Sequence, residues 1–97
     1  MTRKDLNQIY DMMDKLDGIK NDQEFIDNEE AKGYKPFSIS LNFKEDKKGN
    51  STGMRKLNIT QECLDKIYGL IKKDISSQIK EMSNDIDGMV VVNTSRL

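Results

Sequence analysis

Histidine occurs nowhere among the 97 residues, and cysteine and proline occur once each, as Cys63 and Pro36. The missing histidine removes the commonest general base and the commonest zinc ligand. A lone cysteine makes no intrachain disulfide and no thiolate metal site. No continuous apolar run approaches a membrane span and no signal-peptide pattern follows Met1, so the expected location is the cytoplasm, without membrane contact. The acid pairs Asp85 with Asp87 and Glu29 with Glu30 lack the apolar surroundings that would separate their pKa values into acid and base roles. Asp11, Asp14 and Asp17 recur every third residue beside Lys15 and read as the wet face of a helix rather than as a cation site. The expectation is a protein that is not an enzyme and carries no cofactor or metal.

What is present is periodicity. Between Thr60 and Ile86 the apolar residues Leu64, Ile67, Ile71, Ile75, Ile79, Met82 and Ile86 are spaced three, four, four, four, three and four, which predicts a long amphipathic helix over 60–86. Thr60 is its N-cap, with Glu62 and Asp65 near the positive end of the dipole. Cys63, at an apolar stretch of this helix, reads as a small buried hydrophobe. In the second half only one residue per turn stays apolar. Ile75, Ile79, Met82 and Ile86 make a stripe too narrow for a one-chain core, so they are the expected interface of a homodimer or higher oligomer.

Upstream, Thr2 with Asp5 forms an acidic capping box, and Leu6, Ile9, Met13 and Leu16 predict a first helix over 2–17, stopped by Asp17 and Gly18. A short second helix is expected over 22–31, ended by Gly33. Strict alternation of Phe37, Ile39, Leu41 and Phe43 with Ser38, Ser40 and Asn42 predicts a half-buried strand. With a return strand near 54–59 it gives a β-hairpin over 37–59. Asp87 and Gly88 are expected to turn the chain into a short strand at 89–92. The fold class is therefore α+β, a small single domain spanning 1–97: helix, short helix, hairpin, long helix and a short terminal strand, oligomeric through the long helix.

Charge is segregated along the chain. Residues 1–31 carry four bases and nine acids, residues 32–58 seven and two, and residues 59–97 five and six, so a near-neutral total of −1 hides an acidic front and a basic hairpin. The hairpin tip holds Lys44, Lys47, Lys48, Ser51 and Thr52 with Gly49 and Gly53, and Arg55 and Lys56 follow. Lysine charge, glycine backbone and hydroxyl donors together suit a phosphate. The spacing is not that of a P-loop, and no aromatic residue is interleaved with these lysines, so nucleic acid gains little support.

Lysine outnumbers arginine thirteen to three, and Lys, Asn and Ile supply 31 of the 97 residues, the bias of an AT-rich genome such as that of a low-GC bacterium or its phage. Size, composition and charge segregation look like those of small phage accessory proteins, a likeness of general style that rests on no motif. It implies an interaction protein that inhibits or sequesters a host factor, for example of a defence system, in the host cytoplasm. Two alternatives stand beside it. One is an oligomeric sponge that binds a phosphorylated small molecule, a nucleotide or nucleic acid through the basic tip; the other is a structural or regulatory dimer of coiled-coil type.

Overall fold

A computed structural model of the chain describes residues 2–44, Gly49 and residues 51–94. Two long helices, α1 (Arg3–Ala31) and α2 (Gln61–Thr94), flank a two-stranded antiparallel hairpin of β1 (Ser40–Lys44) and β2 (Ser51–Lys56). This is a small α+β domain.

The first helix begins on a complete capping box. The Thr2 hydroxyl accepts from the Asp5 amide at 3.1 Å, and the Asp5 carboxylate accepts from the Thr2 amide at 3.3 Å. From there α1 runs unbroken to Ala31, so the expected stop at Gly18 and the separate helix over 22–31 are corrected to one helix of 29 residues. The reason lies in the packed stripe. The least exposed side chains beyond the first turn are Ile9, Met12, Leu16, Ile19, Gln23, Ile26 and Glu29, spaced three or four apart straight past the glycine. Burial of Ile19 and Ile26 outweighs the roughly 1 kcal/mol that glycine costs in a helix interior. The true stop is Gly33, at φ +81°. There the Gly33 amide donates to the Glu30 carbonyl at 2.9 Å and the Tyr34 amide to the Glu29 carbonyl at 3.1 Å, a Schellman closure.

The Thr60 hydroxyl accepts from the Cys63 amide at 3.2 Å and so opens α2, as the spacing predicts. At the other end Gly88 sits inside the helix, and the strand expected at 89–92 is instead helical. Ile86 and Met89 continue the packed stripe across Asp87 and Gly88, and the modest helix penalty of the following valines does not outweigh that packing.

The helices run antiparallel. Lys72 of α2 meets Glu30 near the end of α1 at 2.8 Å, whereas Ile86 and Met89 pack with Ile9 and Leu16 near its start. Ile79 and Met82 join that cluster with Met12. The narrow stripe on α2 thus packs against the same chain, because α1 is nearly twice the expected length: Ile86 is buried there, and Ile75, Ile79 and Met82 are half-buried. Cys63 is exposed, not buried.

In the hairpin Ser40 pairs with Lys56, Leu41 with Arg55 and Asn42 with Met54, and the register shifts before Lys44 meets Ser51. Gly53, at φ +96°, takes the left-handed conformation that glycine adopts without strain. Among the described residues no strand contacts either helix. Every residue of β1 is exposed, so the expected half-buried strand is corrected: α1 and α2 cover each other and leave nothing to lie on the sheet. Only the foot of the hairpin, at Ile39, Leu57 and Ile59, is half-buried, near the start of α2 where Leu64 is buried. The molecule is elongated, 56 × 39 × 18 Å, with a radius of gyration of 18.1 Å, against about 12–13 Å for a compact chain of this length.

Candidate functional site

Two regions lie free of the helical seam: the hairpin arm, and the hinge where α1 hands over to the arm. The hinge is built by local rules. The Schellman closure at Gly33 ends α1 and turns Tyr34 back beside it. Pro36 then holds Lys35 extended and brings Phe37 to the same place. Together with Phe25, Ile26 and Glu29 of α1 and Tyr68 of α2, these residues line an open cleft of about 280 Å³.

Beneath it lies a polar lock between the helices. Lys72 donates to Glu30 at 2.8 Å. That hydrogen bond, and next one from Tyr68, holds the Glu30 carboxyl below the usual carboxylate range. Glu30 in turn raises the Lys72 ammonium above its ordinary value. Desolvation first, then the hydrogen bond to Glu30, pushes the Tyr68 phenol up. The three groups link the helices at the hinge end, beside the half-buried Ile26 and Ile75.

The rings of the cleft carry cations. Lys72 lies 5.1 Å from the centre of the Tyr68 ring, Lys56 5.5 Å from Phe37 and Lys32 6.0 Å from Tyr34, within reach of the ring quadrupole. Lys32 is also paired with Glu29 at 3.1 Å. The rings themselves remain open, with Phe37 81% and Phe25 66% exposed.

The basic set expected at the hairpin tip is dispersed. Lys47 and Lys48 lie outside the described residues. Lys44 ends β1 opposite Ser51, its aliphatic chain over Gly49, and Thr52 follows in β2. Arg55 and Lys56 are consecutive strand residues, so their side chains leave opposite faces of the sheet. Arg55 shares a face with Leu41, and Lys56 reaches Phe37. Asp11, Asp14 and Asp17 are exposed on α1, and among the described residues no three side chains gather as metal ligands. No described helix is long and apolar enough to cross a membrane.

The sequence reading missed the hinge. Its signal is the run Tyr34, Lys35, Pro36 and Phe37, two aromatic residues and a lysine around the only proline, which was read simply as the start of a strand.

No protein-family model, curated protein or solved structure matches this chain.

Proposed function

We propose that the protein is a non-catalytic interaction protein that works by occupying the surface of a macromolecular partner through its hairpin arm. The observation that carries this reading is the arm itself. Its described residues pack on neither helix, and Phe43 is 65% and Met54 77% exposed. A two-stranded hairpin with no element on either face is marginal alone, and strands of this kind are completed by a partner's strand or apolar surface. The partner proposed is a protein of the host cell, on the compositional ground that the chain looks like a phage or mobile-element accessory protein.

The test is capture from a bacterial lysate by the tagged full-length chain, washed at about 0.5 M salt, where exposed charge contacts are screened within a few ångströms. A specific protein is expected to be retained, and to be lost with the Phe43→Ser, Met54→Ser variant at unchanged melting temperature. Retention of the same protein by that variant would overturn the assignment to the arm. Loss of the partner in salt would point instead to the charged surfaces.

A further inference from the structure

Phenylalanine and tyrosine number three each in the chain, and four of these six rings, Phe25, Tyr34, Phe37 and Tyr68, line the single cleft at the hinge. Folding also places beside these rings lysines that are distant in sequence: Lys56 comes from the far strand to Phe37, and Lys72 from α2 to Tyr68. The fold thus brings aromatic rings to lysines that have none interleaved with them in the sequence.

Not all of this charge is spent internally. Lys32 and Lys72 are neutralised by Glu29 and Glu30. Lys35, in the cleft lining, and Lys56, over Phe37, have no carboxylate of the described residues within ion-pair distance. The cleft and its rim therefore combine exposed rings with two cations, Lys35 in the lining and Lys56 beside Phe37, that no carboxylate of the described residues compensates. A cationic ligand meets repulsion there, since lysine ammonium groups already sit against three of the rings. A purely apolar ligand gains nothing from Lys35 and Lys56, and a bare phosphate gains nothing from the rings.

We propose that the hinge cleft is a binding site for a nucleoside phosphate, its base stacked on the Phe37 and Tyr34 rings and its phosphate held by Lys35 and Lys56. Stacking on aromatic side chains tolerates every base, and lysine supplies a point charge for the phosphate. The open cleft, near 280 Å³, falls just below the usual range of ligand pockets, so it takes the base while the phosphate sits at its rim. The chemistry is shared by a free mononucleotide and by a nucleotide of a single strand. The site is independent of the arm residues Phe43 and Met54, so it stands or falls separately from the partner-binding reading.

The experiment is calorimetric titration of the purified full-length chain with AMP, GMP, CMP and UMP. Adenosine and inorganic phosphate serve as half-ligands, and a ten-residue oligouridine represents the strand. At least one monophosphate is expected to bind, with adenosine and inorganic phosphate each at least about tenfold weaker. Phe37→Ala should weaken binding by about tenfold or more, the order expected for one stacked base. Phe37→Tyr should keep binding, and Lys35→Glu with Lys56→Glu should abolish it. All these positions are exposed, and melting temperatures should not move. Oligouridine binding much more tightly than UMP assigns the site to single strands; equal affinity assigns it to free nucleotides. The proposal is overturned if no monophosphate or oligouridine binds at roughly millimolar concentration, if Phe37→Ala leaves affinity unchanged, or if inorganic phosphate binds as well as the nucleotides.

Discussion

Replacing Gly18 by alanine separates a continuous first helix from a broken one by the sign of its effect. In the structure Gly18 lies inside α1 with ordinary helical φ, and a Cβ built on it meets no atom within 4 Å. Nothing opposes the extra methyl. Alanine is better than glycine in a helix interior by about 0.8–1.0 kcal/mol, mainly because the unfolded chain has less freedom to lose. Since about 1 kcal/mol moves the melting temperature of a domain this size by roughly 4–8 °C, Gly18→Ala should raise it by several degrees. If Gly18 instead closed a helix in the left-handed conformation, a Cβ there would cost about 1–2 kcal/mol and the midpoint would fall. Thermal unfolding followed by circular dichroism reads the sign directly. A lowered midpoint would refute the continuous helix, and with it the intrachain covering of the α2 stripe.

Leu64→Ala should destabilise by about 2–5 kcal/mol, since Leu64 is only 5% exposed, as measured by urea denaturation. Ile79→Asp should lower the melting temperature of the chain at every concentration, because the charge would enter an intrachain seam; a variant that merely shifts the dissociation constant of an oligomer would contradict this. The hinge lock has a defined pH signature. Glu30 is depressed by Lys72 and Tyr68, so its contribution is present above the ordinary carboxylate pKa of about 4.3 and is lost as pH falls through the lower folded value. Lys72 and Tyr68 are both raised, so their contributions are full below about pH 10 and are lost on the alkaline side. Glu30→Gln should therefore lower the melting temperature slightly between about pH 5 and 9, and the gap to the unsubstituted chain should close below about pH 4; parallel curves would remove the lock.

The N-caps of both helices, the hairpin and the helical nature of residues 60–86 are legible in the sequence, because each rests on a local rule: Thr2 with Asp5, Thr60, and a period of two or of three to four. What was misread depended on contacts distant in sequence. Periodicity alone selects Leu6, Ile9, Met13 and Leu16, of which Leu6 and Met13 are exposed; the packed set is Ile9, Met12, Leu16 and Ile19 and so crosses Gly18. The alternation of β1 is real, yet alternation only says that one face is apolar, and no element covers that face. The strand expected at 89–92 was a propensity argument that lost to the packing of Ile86 and Met89. The hinge cleft joins residues 25, 34, 37 and 68, a set that no spacing rule connects.

Within one chain α1 and α2 pack on each other and leave the hinge and the described part of the arm exposed. A Leu16→Cys, Ile86→Cys variant in a Cys63→Ser background tests it, since Leu16 and Ile86 share the core and Cys63 is the only natural thiol. After mild oxidation of a dilute sample, the predicted result is an intrachain disulfide, with no free thiol and a monomer mass on a non-reducing gel. Disulfide-linked dimers as the sole oxidised product would contradict the account.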